Sequence, residues 1–276
     1  MPELPEVETV RAGLSALVQG ATIQEVVVPY PKVITGDVDQ FKAQVLGSTF
    51  ERFDRRGKYL LFRLSNKHTI VSHLRMEGQY SVEPIEAKPH KHTEIIFKLT
   101  DDRALMYNDT RRFGRLQLVE TGQEGQAVDG LGKLGPEPTA ADLKLDYMVK
   151  IFQKSHRMVK PFLLDQSKIA GLGNIYTDEV LWQSKIHPES LTDHLSPEQL
   201  ATLRTNIIAE IKRAIAEHGT TVHSFSNIFG KVGEFQNKLE AYGRVGEPCH
   251  RCGTPMIKFK VAQRGTTICP VCQVKQ

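Results

Sequence analysis

Apolar residues at Leu4, Val7, Val10, Leu14, Leu17 and Val18 recur at three- and four-residue intervals, which predicts a helix with one face on a core and a stop at Gly20. The period then changes. Thr22 to Val28, Tyr59 to Leu64, Thr69 to Leu74, Thr93 to Leu99, Arg103 to Tyr107 and Arg115 to Val119 are short β-branched or aromatic runs, separated by turn signals such as Ser65-Asn66 and Asp101-Asp102. They predict strands, for which a two-sheet sandwich is the natural architecture. Between Thr121 and Pro138 glycine, proline and polar residues take over, as in an interdomain linker. Beyond it the pattern is helical. Thr139 is placed to cap a helix running to about Phe152; Lys160 to Gln166 and Asn174 to Trp182 follow, either side of the loop Ala170-Gly171-Leu172-Gly173. Ser196-Pro197-Glu198-Gln199 combines an N-cap, a first-turn proline and a capping-box glutamine ahead of Leu200, Leu203, Ile207, Ile208, Ile211 and Ile215, with Gly219 as the stop. The fold class expected is α+β: a leading helix and β-sandwich, then a helical domain.

With 276 residues, 40% hydrophobic and 25% charged, the chain is long enough for two domains with real cores. No run of apolar residues approaches membrane-spanning length, and three glutamates occupy the N-terminus where a signal peptide would be basic and then apolar, so a cytoplasmic protein without a membrane partner is expected. The net charge of +4 is unevenly placed. From Arg244 to Gln276 six Lys or Arg face one acid, Glu247, so this tail carries +5 and the rest −1. A basic tail on a neutral body suits an anionic partner.

The opening residues Met1-Pro2-Glu3-Leu4-Pro5-Glu6-Val7-Glu8 hold candidate chemistry. Removal of Met1 ahead of a small residue leaves a secondary amine on Pro2, whose α-amino reference pKa of about 7.7 to 8.0 keeps a fraction nucleophilic near neutrality. A helix dipole would lower it further, and Glu3 and Glu6, three apart, are expected to share a helix face beside it. Such an amine attacks an aldehyde-like carbon to give an iminium. From these residues alone the plainer reading, an acidic helix start with early prolines and no chemistry, is the favoured one.

All four cysteines lie in Cys249-x2-Cys252-x16-Cys269-x2-Cys272, the spacing of two knuckles around one tetrahedral Zn²⁺. Two disulfides would need an oxidising compartment, so one structural zinc is expected. Thr254 to Val261 and Arg264 to Cys269 form its hairpin, with Arg264 near the tip. Other stretches admit two readings each. Gly171, Gly173 and Asn174, with Lys160 nearby, suit phosphate capture at a helix N-terminus, or are a turn between packed helices. Asp109-Thr110-Arg111-Arg112-Phe113-Gly114 suits a base-stacking wedge with phosphate anchors, or Phe113 enters the core. His73-Leu74-Arg75-Met76-Glu77-Gly78 puts Met76 in a polar turn, as wedge or as filler. Arg55-Arg56-Gly57-Lys58 is a basic turn, ordinarily solvated.

In this order, these motifs resemble the formamidopyrimidine-DNA glycosylase family of bifunctional base-excision repair enzymes: Pro-Glu-Leu-Pro-Glu, Arg-Arg-Gly-Lys, His-Leu-Arg-Met-Glu-Gly, Arg-Arg-Phe-Gly, Gly-Leu-Gly-Asn-Ile-Tyr and the four-cysteine finger with its Arg-Gly-Thr. The resemblance runs from Met1 to Cys272. It implies a helix-led β-sandwich, a helix-two-turns-helix domain and a zinc hairpin, for which boundaries of 1–130, 131–243 and 244–276 are expected. It implies a monomer acting on double-stranded DNA with a damaged base, excising 8-oxoguanine and formamidopyrimidines. Pro2 would be the nucleophile at C1′, Glu3 the acid/base and Glu6 its support. Lys58 would approach the lesion's phosphate and assist base release, and Arg264 would grip the lesion's phosphates for the second elimination. Lys160 and Asn174 match phosphate ligands, and His73, Glu77, His92, Arg111 and Tyr242 match other DNA contacts. Met76, Arg111 and Phe113 match the residues that fill the hole left by an everted base. The segment from Thr220 to Asn237, with Thr221, Ser224 and Phe225, corresponds to a lesion-covering loop. Two alternatives differ in kind: a zinc-dependent DNA-binding protein that senses damage without cutting, and a related glycosylase for oxidised pyrimidines, against which Leu4 argues because those relatives usually begin Pro-Glu-Gly-Pro-Glu.

Overall fold

The computed structural model describes residues 1–220 and 235–275. The chain divides into two compact units, the first of Met1–Lys133 with residues 218–220, the second of Leu134–Glu217 with residues 235–275.

The first unit opens with helix α1 (Leu4–Val18), whose Val7, Val10, Leu14 and Val18 are buried as their spacing predicts. Glu3 is its N-cap rather than a member of the helix. Pro5 in the first turn fixes φ and has no N–H to lose, and a Glu3–Glu6 capping box satisfies the free amides, so the helix starts one residue later than a shared Glu3–Glu6 face requires. Two antiparallel four-stranded sheets follow. One is ordered β1 (Ile23–Val27), β6 (Thr93–Leu99), β7 (Arg103–Asn108), β5 (Gln79–Pro84); the other β2 (Phe50–Arg56), β3 (Tyr59–Leu64), β4 (His68–His73), β8 (Arg115–Glu120). Their inner faces meet through aromatic rings, Phe50 against Phe97 at 6.0 Å and Phe62 against Tyr80 at 5.4 Å, in one continuous core with α1. Three elements escape the strand pattern. A helix α2 (Val38–Val45) starts on the Asp37 cap and buries only Phe41 and Val45. The polar-rich β2 hides under five Asp, Glu and Arg positions, and β5 under a mixed Gln-Tyr-Ser-Val-Glu-Pro run. A short α3 (Glu124–Ala127) lies in the expected linker.

The second unit holds α4 (Leu145–Gln153), α5 (Val159–Leu164), α6 (Asn174–Gln183), α7 (Pro197–Ala216) and the hairpin β9 (Ile257–Val261), β10 (Arg264–Ile268). Helix α4 starts five residues later than expected, because Thr139 exchanges hydrogen bonds with Asp142 in a separate turn instead of capping it. Helix α7 forms as read, its Ser196–Gln199 capping box complete. The β9–β10 loop is two residues, Ala262 and Gln263, both at positive φ (46° and 64°) as a type I′ turn demands, and this places Arg264 directly after the tip.

Candidate functional site

In the first unit, Pro2 and Glu3 are buried at the start of α1, behind a half-exposed Met1. The Glu6 carboxylate takes the Glu3 backbone N–H at 2.8 Å on Oε2, and the backbone N–H and hydroxyl of Thr220 at 2.8 and 3.1 Å on Oε1. One turn on, Glu8 is bound by Arg55 Nε at 2.8 Å, and the same guanidinium donates to the Gly57 carbonyl at 3.0 Å. Arg55 therefore ties the second turn of α1 to the β2–β3 turn that carries Lys58. Lys58 is 6% exposed, so the solvated-charge reading of that turn fails for it. Burying an ammonium is costly and brings such a residue into play as a functional candidate. Across the β3–β4 ladder, His73 stacks edge-on to Tyr59 at 4.7 Å and accepts the Arg75 N–H on Nδ1 at 3.0 Å. Burial, with the Arg75 and Lys58 charges, pushes its imidazole down to about 3, so it is a neutral ring with Nε2–H as donor.

The loops after β4 and β7 meet over the Tyr107 hydroxyl. A Cβ on Gly78 would lie 2.1 Å from that oxygen and one on Gly114 1.7 Å from it, so only glycine permits the approach. Above this pinch Met76 is 40% and Phe113 50% exposed, which overturns the core-filler readings of both. The Arg111 guanidinium joins them, lying 5.0 Å over the Phe113 ring with Nη1 2.9 Å from Met76 Sδ. Glu77 is half-buried beside them, and His92 passes under the loop with its carbonyl accepting the Asp109 N–H at 3.0 Å. Two apolar side chains and a guanidinium, raised on polar loops, form a surface that can slide between stacked bases.

In the second unit, Lys160 is fully buried, its ammonium donating to Asp178 at 2.6 Å, Thr266 Oγ1 at 2.8 Å and the Gly265 carbonyl at 3.1 Å. Asn174 Nδ2 donates to that same carbonyl at 3.0 Å. The expected phosphate ligands are thus directed here at the residues following Arg264, whereas Arg264 itself is exposed. Burial raises the Asp178 carboxyl to about 6 against the opposing Lys160 charge. Tyr242 is half-buried, and its backbone N–H, with those of Glu240 and Ala241, donates to Glu179 at 2.8 to 2.9 Å. The residues Thr221, Ser224 and Phe225 lie outside the described residues.

The four cysteine sulfurs lie within 4.8 Å of one another, with Cys252 and Cys269 at 3.4 Å and no disulfide among them. A Zn–S bond of about 2.3 Å in a tetrahedron separates sulfurs by about 3.8 Å, so the set fits one structural zinc with no open position for water. Trp182 Nε1 donates to Cys249 Sγ at 3.4 Å, and the Arg251 guanidinium covers the indole at 4.1 Å.

Reading motif by motif missed the residues that hold these side chains in place: Glu8 with Arg55, Tyr107 between its two glycines, and Asp109. The last left a signal, because an Asp two to five residues ahead of an exposed Arg-Arg-Phe-Gly is placed to accept their backbone N–H groups.

Three family models match: the formamidopyrimidine-DNA glycosylase N-terminal domain over residues 1–116, its H2TH domain over 134–226, and the zinc finger found in FPG and IleRS over 246–274. A formamidopyrimidine-DNA glycosylase of Lactiplantibacillus plantarum is 61% identical over 98% of both chains, and that of Latilactobacillus sakei 51% identical over 100% of this chain and 99% of the relative. Among solved structures, a Lactococcus lactis FPG mutant in complex with Fapy-dG-containing DNA superposes with a TM-score of 0.95 at 41% identity, covering 99% of this chain and all of the other. Lactococcus lactis Fpg with abasic-site DNA gives 0.94 at 41% identity and the same coverage.

Proposed function

The chain belongs to the formamidopyrimidine-DNA glycosylase family, and from that premise we propose that it excises oxidised purines, 8-oxoguanine and formamidopyrimidines, from duplex DNA and cuts the strand by β- and δ-elimination. The observation that carries this reading is the covered start of α1, where Pro2 and Glu3 are buried and Glu6 holds the Glu3 backbone.

Once Met1 is removed, the Pro2 nitrogen is a secondary amine. The damaged nucleotide leaves the stack, at a cost of a few kcal/mol that is lowest where pairing is weakened, and Met76, Arg111 and Phe113 fill the space it vacates. Pro2 nitrogen attacks C1′ and the C1′–base bond breaks, its electrons leaving with the base, which takes up a proton. Glu3 protonates the ring oxygen as the sugar opens to an iminium. The iminium acidifies the C2′ proton; its removal expels the 3′ phosphate, and a second elimination expels the 5′ phosphate, leaving a one-nucleotide gap. Lys58, a covered cation at the β2–β3 turn near the start of the chain, approaches the lesion's phosphate and assists base release. Arg264 grips the phosphates for the second elimination. His73, Glu77, His92, Lys160, Asn174 and Tyr242 complete the DNA-contacting set, and Cys249, Cys252, Cys269 and Cys272 hold the zinc that stiffens the hairpin.

Functional boundaries fall at 1–130, 131–243 and 244–276, with residues 218–220 returning to the first unit through Glu6. No helix among the described residues is long and apolar enough to cross a membrane. A DNA substrate supports the reading of a cytoplasmic protein acting as a monomer.

Borohydride trapping on a duplex with 8-oxoguanine opposite cytosine tests the reading. A covalent complex forms with the processed wild type and disappears in Pro2→Gly or when Met1 is retained. Wild type with a processed N-terminus that binds but neither traps nor nicks is instead a damage-binding protein.

A further inference from the structure

Asp109 has no part in the reaction as set out above, yet it is the most heavily engaged side chain beneath the exposed loop. It is fully buried at the end of β7. Its Oδ1 accepts the Arg111 backbone N–H at 2.9 Å; its Oδ2 accepts those of Phe113 at 2.9 Å and Gly114 at 2.8 Å. Its own N–H is fixed to the His92 carbonyl, and its carbonyl accepts the Arg112 N–H at 3.3 Å. Arg112 sits at φ +57°, a conformation that a non-glycine residue holds only when its surroundings impose it. The loop has no strand ladder of its own, since β8 begins at Arg115. Bonds to an ionised acceptor are roughly twice as strong as neutral ones, and three of them on one carboxylate replace that ladder.

We propose that Asp109 is the positioning residue of the wedge: its carboxylate folds residues 111–114 so that Phe113 and Arg111 stand ready beside Met76 before DNA arrives. The proposal rests on the reading that this loop fills the duplex. Its consequence is specific to base eversion. A free loop must be ordered at the moment the base leaves the stack, which adds an entropic cost to that step. A site already lacking its base has less to evert and depends less on the wedge.

The test compares Asp109→Asn with wild type on two substrates under single turnover: a duplex with 8-oxoguanine opposite cytosine, and one with a preformed abasic site. Asn keeps the volume but turns one acceptor into a donor facing N–H groups. Excision of the base is expected to slow roughly ten- to hundredfold while strand cleavage at the abasic site changes by less than about threefold. With 2-aminopurine beside the lesion, the fluorescence rise on binding is expected to shrink although the DNA is bound. Equal losses on both substrates, or unchanged excision, overturn the proposal. Phe113→Ala separates this from failure of the underlying reading: if Phe113→Ala excises as fast as wild type, the wedge itself is wrong. Should Asp109→Asn not fold, amide exchange in the free wild-type protein decides. Protected N–H groups at Arg111, Phe113 and Gly114 support the preformed loop, and exchange at the unstructured rate overturns it.

Discussion

The Glu6 carboxylate accepts the backbone N–H of Thr220 at 2.8 Å, joining the first turn of the chain to a residue more than two hundred positions later. With its other oxygen it holds the Glu3 N–H, so one buried side chain serves both the N-cap and the return of residues 218–220. Gly219, at φ +76°, makes room for it; a Cβ there would stand 2.7 Å from Glu6 Oε1.

Glu6→Ala therefore strands at least two buried amide donors. At about 1 to 3 kcal/mol for each donor left without a partner, the expected loss is about 2 to 6 kcal/mol, measured by urea unfolding. Glu6→Gln keeps one acceptor and should lose less. Equal stability of the Ala and Gln variants would remove the bridge from this account.

Gly114→Ala drives a methyl into the Tyr107 hydroxyl, so a loss of about 1 to 3 kcal/mol is expected from overpacking. Tyr107→Phe alone should be nearly neutral, because that hydroxyl is buried without a hydrogen-bond partner among the described residues. The double variant then recovers part of the Gly114→Ala loss. Strict additivity in the thermal midpoints would mean the two loops are not pinched over Tyr107.

Features that depend on residue type alone were legible in the chain: the apolar period of α1, the cysteine spacing and the Ser196 capping box. Others were hidden because their role depends on what lies across space. Lys58 reads as one more cation in a basic turn until the structure buries it, and nothing along the chain joins Lys160 to Asp178, eighteen residues on and 2.6 Å away. Strand β2 escaped for a related reason. Arg52, Asp54 and Arg63 pair on the outer face of the sheet, and such cross-strand charge pairs erase the alternation that single-sequence reading relies on.

Lys160→Met removes the ammonium bonded to Asp178 in this buried cluster and leaves the Thr266 hydroxyl and Gly265 carbonyl without that donor. Breaking a buried pair from one side costs about 3 to 5 kcal/mol. The loss should appear as faster zinc release from the hairpin, read with a chromogenic chelator. Release at the wild-type rate would show that the cluster does not support β10.

Glu94 is fully buried and neither carboxylate oxygen has a hydrogen-bond partner among the described residues. Burial, reinforced by the Asp109 charge, raises its carboxyl to about 7 from an ordinary value of 4.5. Between those two values the folded protein holds a proton that the unfolded chain has released. Its stabilising contribution is complete below about 4.5 and is lost as pH rises toward 7. Glu94→Gln should flatten this part of the stability–pH curve and be the more stable form above pH 7. An unchanged slope in urea midpoints between pH 5 and 7 would exclude Glu94 as its source.

The chain's single tryptophan, Trp182, stands against the cysteine cluster with its indole N–H on Cys249 and Arg251 across its face. It shares a small core with Ala241, Met256 and Cys269, whereas the sandwich core is built from other residues. Zinc removal should therefore change tryptophan emission directly, because the thiolates repel one another without the cation and the indole loses both its cover and its acceptor. The β-sheet circular dichroism and its cooperative melting should persist, since that core contains no residue from the cluster. Affinity for damaged duplex should drop about tenfold or more and its salt dependence should flatten, as the basic hairpin no longer presents Arg264 on a rigid tip. Metal-free protein that keeps full affinity would refute the hairpin's place in DNA binding, and joint loss of the sheet signal would refute the independence of the two cores.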